Sequence, residues 1–349
     1  KNWRINLKNK EIGMENIIIP ELDQEAARKV REDWQRMDKP AGSLGKIEEM
    51  VEKYAAMTAK PLPEKIKTAM LLMCGDHGIA KYGVSAYPQE VTMQMINGYM
   101  RETAGANVMA RHANADVIVV DVGTAFDLSH LEKVHQFKVA WGTEDFTQGP
   151  AMTKEQALQA LHAGMKMADE CIDKGYNLLA TAEMGIGNTT STAAIVSAFL
   201  GLPPELTVGR GTGINDERMK IKRQVVSDGL AKNKPVQGDA MDILCKVGGY
   251  DHAGLAGMII AGAKRRVPTM VDGVNATAAA LLAYGLYPAC ADYMLCSHLS
   301  AEISHKKMLD VLKLMPIVDA GMRLGEGTGA SLAIVVLQAA IDVYNKLSR

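Results

Sequence analysis

The sequence predicts an α/β protein: a mostly parallel sheet with helices on both faces and a smaller helical layer attached. Three observations carry this. Short unbroken apolar runs alternate with Ala-rich stretches of helical length, the pattern of strands buried on both faces. Polar and Gly-rich residues follow the apolar runs and do not precede them, and the carboxyl edge of such a sheet is where ligands bind. Finally, 349 residues, 48 % hydrophobic and 23 % charged, suffice for a large core.

In chain order, residues 1–60 read as polar helices. Glu21–Met37 is charged with sparse apolar positions, Lys39-Pro-Ala-Gly-Ser-Leu-Gly45 breaks the pattern, and an amphipathic helix follows from about Ser43, with Ile47, Met50, Val51 and Tyr54 on one face. Residues 61–312 hold the strands. The runs Ala69–Cys74, Asp116–Val122, Asn177–Thr181, Val267–Val271 and Asp292–Cys296 end at Gly75-Asp-His-Gly78, Gly123-Thr124, Glu183–Thr190, Asp272-Gly273 and Ser297-His298. A helix is expected over Ser300–Leu312, and residues 313–349 carry a Gly-rich loop and a last helix.

Composition narrows the function. Lys and Arg number 39 against 40 Asp and Glu, a net charge of −1, so no nucleic acid or membrane surface is implied as a partner. Aromatics at 5 % are too few for base-stacking platforms. Five cysteines at irregular spacing without a CxxC point to reduced thiols and a cytoplasmic location. No apolar leader is visible, and Leu332–Ala340 reads as too short to span a bilayer. The eight histidines form no metal motif, and no cofactor is implied. The 22 methionines read as adaptable core filling or as the lining of a flat apolar pocket.

Four stretches can carry chemistry. In Glu183-Met-Gly-Ile-Gly-Asn-Thr-Thr190 two glycines allow close backbone approach, and Asn-Thr-Thr can cap the helix that follows, whose N-terminus attracts phosphate. The same residues also read as a plain capped turn. Val208-Gly-Arg-Gly-Thr-Gly213, with Lys222 beyond it, offers a second phosphate wall. Glu326, between glycines before the last helix, is a general base if desolvation raises its pKa, or an acid that merely complements the helix dipole. Its Gly-x-Gly-x-Gly run neither follows an early strand nor precedes an acid ending a second one, so a nicotinamide-dependent dehydrogenase fits poorly. The side chains of Asp76 and His77, adjacent at a strand end, are expected to point apart.

Eight ordered blocks now give a specific resemblance. They are Lys39–Gly45, Asp76–Gly78 through Val84–Thr92, Glu183–Thr190, Gly209–Gly213, Asp251–Gly257, Val271–Gly273, Ser297–Ser300 and Leu324–Ala330. With them the chain resembles the nicotinate-nucleotide:dimethylbenzimidazole phosphoribosyltransferases over nearly its full length. The resemblance implies a Rossmann-like parallel sheet, a small helical domain built from both chain ends, and a dimer, either of identical subunits or with a paralogous subunit. It implies displacement of nicotinate from nicotinate mononucleotide by an aromatic base. By that analogy Glu326 is the catalytic carboxylate, and Glu183 is grouped with it as catalytic. Gly185, Ile186, Gly187, Asn188 and Thr189 hold the nucleotide phosphate with Gly211 and Lys222. Asp272 and Ser300 lie on the nucleotide side, and Tyr87, Met95, Met184 and Leu324 line the base pocket. The base is a benzimidazole or a phenol. A silent nucleotide-binding subunit is the rival reading, and a base at Glu326 argues against it. The chain departs from the family pattern at Ala41, Asn215 and Ala182, the last expected to alter the packing of the phosphate loop.

Overall fold

The computed structural model describes Met14 and residues 17–348; the rest of the expected 1–60 segment, and residue 349, lie outside the described residues. Helices α1 (Gln24–Arg36) and α2 (Lys46–Thr58) come first, then β1 (Thr68–Gly75), α3 (Val91–Met100), α4 (Gly105–His112), β2 (Ala115–Gly123) and β3 (His135–Gln136). The chain continues through α5 (Lys154–Asp173), β4 (Leu178–Met184), α6 (Asn188–Leu200), α7 (Asp216–Asn233), α8 (Ala240–Val247) and α9 (Tyr250–Lys264). It ends with β5 (Thr269–Val271), α10 (Val274–Leu286), β6 (Met294–His298), α11 (His305–Leu312), β7 (Pro316–Val318) and α12 (Thr328–Leu347).

The seven strands form one sheet in the order β3-β2-β1-β4-β5-β6-β7, and every pair is parallel. The order reverses at β1, which pairs with β2 on one side and β4 on the other. A crevice therefore opens beyond the carboxyl ends of β1 and β4. All residues of β1 and β4 are buried, as continuous apolar runs require. Helix α9 packs backbone to backbone on α5 because glycines in both allow it. A Cβ on Gly164 of α5 would strike the Gly254 carbonyl, and one on Gly257 would strike that of Leu161.

Several expectations shift. Strand β4 runs through Met184, so Glu183 lies within a strand, paired with Met73, and not in the loop beyond it. Strands β3 and β7 had no readable pattern because they are two and three residues long. The helix expected from Ser300 starts at His305, since Ser300 to Ser304 turn beneath the crevice. Helix α12 spans 20 residues and is long and apolar enough to cross a membrane by length and composition alone. Here its Ile334, Leu337, Ile341 and Tyr344 are buried in the core. The Tyr344 ring meets Trp34 of α1 edge-on at 5.1 Å and its hydroxyl donates to Asp33, tying the two chain ends together.

Candidate active site

A cavity of about 770 Å³ opens at the crevice. Twelve of the residues predicted from sequence line it: Glu183, Met184, Gly185, Ile186, Asn188, Thr189, Gly211, Ser300, Tyr87, Met95, Leu324 and Glu326. Gly187, Lys222 and Asp272 stand behind the wall.

The floor is the β4–α6 turn. Gly185 has no room for a Cβ, which would strike the Gly75 carbonyl, so the turns after β1 and β4 touch through backbone alone. Gly187 takes φ +102° against His77 and Ile79 and starts α6. No side chain caps that helix, contrary to the expected Asn-Thr-Thr cap. Asn188 instead donates its amide to Glu183, and the Thr189 hydroxyl accepts from Lys222 Nζ at 2.7 Å. An uncapped N-terminus with Asn188 and Thr189 at the cavity leaves the helix dipole facing the ligand space.

Lys222 is fully buried, and burial lowers its pKa to about 8 while Glu302 opposes that shift. Its ammonium reaches the cavity through Thr189 and lies 3.1 Å from where a Cβ on Gly211 would be. Gly211, at φ +51°, donates its N–H to Glu302 (2.9 Å), and its carbonyl accepts from Arg323 (2.8 Å). A basic group held behind two glycine turns suits a phosphate.

Glu326 occupies the opposite wall. Gly325, Glu326 and Gly327 all have positive φ (+83°, +59° and +76°), and for the glutamate this is a strained conformation of the kind concentrated at functional sites. What holds the loop is Asp272, at the end of β5. Its carboxylate accepts from Gly327 N (3.1 Å) and Ala330 N (2.8 Å) and so caps α12 from 55 residues away. Beneath the loop, Gly327 leaves no room for a Cβ between Met70 and Ala182. The methyl of Ala182 thus bears on the Glu326 loop. Asn215 caps α7 by accepting from Arg218 N (2.9 Å), and Ala41 is exposed.

The two glutamates are coupled. Burial raises the Glu326 carboxyl, the hydroxyl of nearby Tyr99 holds it down, and Asp272 pushes it up. That hydroxyl is buried and has no partner within hydrogen-bond geometry among the described residues. Glu183 is driven well above the ordinary carboxylate range, by burial first and then by Asp251 and Asp272, with Asn275 opposing. Glu326 N–H points at Glu183 Oε1 (3.4 Å). The Glu326 charge is in turn among those that push Glu183 up, so ionisation of one disfavours ionisation of the other.

The remaining lining is apolar and open. Tyr87 (54 % exposed) and Leu324 (62 %) flank the mouth, with Met95 half-buried and Met184 buried. The Tyr87 segment is pinned across the mouth, since Ala86 N donates to Thr212 Oγ1 (2.8 Å) and Arg218 to the Ser85 carbonyl (2.6 Å).

Sequence reasoning missed Val91, Thr212, Asn275, His298, Glu302 and Arg323 as lining residues. Val91, Thr212, His298 and Arg323 sit in or beside motifs already singled out; Glu302 carried no signal. It also missed a buried cluster. His77, Asp251 and His252 bring metal-ligand atom types within 4.8 Å of one another, though 174 residues separate the first two. Asp76 and His77 do point apart: Asp76 accepts from Thr92 Oγ1 (2.7 Å) and Ala125 N (3.0 Å), whereas His77 faces Asp251.

A doubly wound parallel sheet with buried carboxylates and two glycine turns around one cavity at its switch point is the architecture of an enzyme that binds a nucleotide or similar phosphorylated ligand. A phosphoribosyltransferase family model matches residues 19–349. The nicotinate-nucleotide–dimethylbenzimidazole phosphoribosyltransferase of Chloroflexus aggregans is 47 % identical over 331 residues, 95 % of this chain and 94 % of that one. The protein of the same name from Geobacter sulfurreducens is 45 % identical over 310 residues, 89 % of this chain and 88 % of that one. The solved structure of the Thermus thermophilus protein of that name superposes with a TM-score of 0.87 at 40 % identity, covering 93 % of this chain and 96 % of its own. The chain belongs to this family and is a pentosyltransferase enzyme.

Proposed function

We propose that the protein displaces nicotinate from nicotinate mononucleotide with an aromatic base, giving an α-linked ribotide for cobamide assembly. One observation carries the reading: Glu326 shares a cavity with the phosphate-sized cradle at Thr189 and Gly211 and with the apolar mouth at Tyr87, Met95, Met184 and Leu324. The phosphate lies against Gly185–Thr189 with Lys222 behind it, and Ser300 faces the ribose. The base enters between the methionines and Tyr87. Its nucleophilic atom, the ring nitrogen of a benzimidazole or the hydroxyl oxygen of a phenol, attacks C1′ on the face opposite nicotinate, so the new bond to C1′ forms as the old C1′–N bond breaks and inverts the centre. The bonding pair returns to the pyridine nitrogen, which leaves uncharged, and the proton of the attacking base passes to Glu326. Burial keeps Glu183 toward its neutral form, so the ionised carboxylate of the pair is free to be Glu326. Positioning supplies most of the rate, since the leaving group already carries a quaternised nitrogen.

The same reading includes a cytoplasmic dimer, either of two copies or with a paralogue, and a small helical unit of α1, α2 and α12 drawn from both ends of the sequence, with β7 remaining in the main sheet; the Trp34–Tyr344 contact supports that unit. The flat, polarizable mouth with one phenolic hydroxyl suits phenols as well as benzimidazoles. Nicotinate release from nicotinate mononucleotide, compared with dimethylbenzimidazole, phenol and p-cresol, tests the proposal. Release with dimethylbenzimidazole alone makes Tyr87 and Met95 packing residues, and release with phenols assigns them to a permissive pocket. A chain that releases nothing with any base, alone or with a paralogous partner, would contradict it.

A further inference from the structure

The two halves of the cavity stand on different elements, and one buried hydroxyl joins them. Helix α3 brings Val91 and Met95 to the apolar mouth, whereas the β4–α6 turn brings Ile186 and Thr189 to the phosphate side. A different face of α3, with Thr92, Ile96 and Tyr99 at helical spacing, is buried. Thr92 Oγ1 accepts from Ile186 N (3.1 Å) and donates to Asp76 Oδ1 (2.7 Å). Both Thr92 and Asp76 are fully buried.

The groups at its two ends fix the polarity of this link. An amide N–H only donates and an ionised carboxylate only accepts, so the single hydroxyl proton goes to Asp76 and a lone pair is left for Ile186. Asp76 is a firm anchor. Its N–H donates to the Gly123 carbonyl (3.0 Å), its carbonyl accepts from Thr143 N (3.0 Å), and its second carboxylate oxygen accepts from Ala125 N (3.0 Å). The phosphate turn is held separately, by Gly185 against the Gly75 carbonyl and Gly187 against His77 and Ile79. Helix α3 has no side-chain cap of its own, so at its first turn Thr92 is the polar tie to both. We propose that Thr92, seated on Asp76, is a positioning residue for the transfer reaction: it sets the distance between the incoming aromatic base and the nucleotide. This rests on the proposed activity. The link was not legible in the sequence, because 94 residues separate Thr92 from Ile186.

The test pairs base-dependent nicotinate release with calorimetric titration of nicotinate mononucleotide in the absence of base, for wild type, Thr92→Val and Thr92→Ser. Thr92→Val keeps the shape and leaves the Ile186 N–H and Asp76 Oδ1 buried without their partner. As α3 shifts from the turn, kcat is expected to fall about tenfold and the base KM to rise about tenfold. The nucleotide Kd is expected to stay within about twofold, because the Lys222–Thr189 contact and Gly211 are untouched. Thr92→Ser keeps the hydroxyl and is expected to restore both constants. Where Thr92→Val does not fold, Thr92→Ala against Thr92→Ser makes the same comparison. Wild-type kcat and base KM without the hydroxyl would overturn the inference. So would a nucleotide Kd that weakens as much as the base KM rises, or a Thr92→Ser variant as impaired as Thr92→Val. Each of these leaves the proposed activity standing, whereas a wild-type chain that releases no nicotinate with any base overturns both.

Discussion

Replacing Asp272 by alanine separates a brace from a ligand contact. In the structure the carboxylate holds two backbone N–H groups, Gly327 at 3.1 Å and Ala330 at 2.8 Å, and is 1 % exposed. Hydrogen bonds to a buried charge contribute about 1.5–3 kcal/mol each, and the α12 dipole adds about 0.5 kcal/mol. Against this, Asp272 is one of the charges that push Glu183 and Glu326 up, and its loss relieves that repulsion. The net cost is about 2–4 kcal/mol, which for a chain of this length lowers Tm by roughly 3–5 °C. With its anchor gone, the Gly325–Gly327 turn relaxes from three successive positive φ values and Glu326 moves. A displacement near 1 Å costs about 100-fold in kcat. Asp272→Asn retains one acceptor and is expected to lose about half the stability. Calorimetry paired with steady-state nicotinate release reads both quantities. An unchanged Tm with an intact kcat and a raised nucleotide KM would refute the brace and return Asp272 to the nucleotide-binding role expected from the sequence.

Gly325→Ala places a Cβ 2.5 Å from Glu183 Oε1 at φ +83°, so kcat is expected to fall at least tenfold with a destabilisation of about 1–3 kcal/mol, read by activity and urea melts. Lys222→Met removes a fully buried cation and is expected to raise the nucleotide KM more than tenfold without loss of Tm. Because Lys222 loses its proton above about pH 8, the wild-type KM is also expected to rise beyond that pH, and not in the variant. Glu183 binds its proton more tightly folded than unfolded, so it favours the fold at low pH, and that contribution is lost as pH rises through the raised folded value. Glu183→Gln is therefore expected to melt higher than wild type at pH 8 and to converge with it near pH 4. The raised Glu326 carboxyl places the acid limb of kcat above the ordinary glutamate range, which a pH–rate profile would show.

Strands β1, β2 and β4 were legible because each is a long apolar run, buried in the sheet and followed by glycine. Strands β3 and β7 were not, since a two- or three-residue strand at a sheet edge has no periodicity to read. Motif residues that touch the cavity through their own turn, such as Gly185, Thr189 and Glu326, were found from local spacing. Roles set by tertiary contact were hidden. Asp272 looked like a ligand contact after a strand but caps a helix near the far end of the chain. The approach of His77 to Asp251 carried no signal because 174 residues separate them in sequence.

The most direct measurement of the central claim is nicotinate release by Glu326→Gln beside wild type, with both substrates saturating. If Glu326 accepts the proton of the incoming base, kcat falls about 100-fold or more while the nucleotide KM stays near wild type, because the cradle at Thr189, Gly211 and Lys222 is untouched. A Glu326→Gln variant that turns over at the wild-type rate would contradict the account and move the base elsewhere in the cavity.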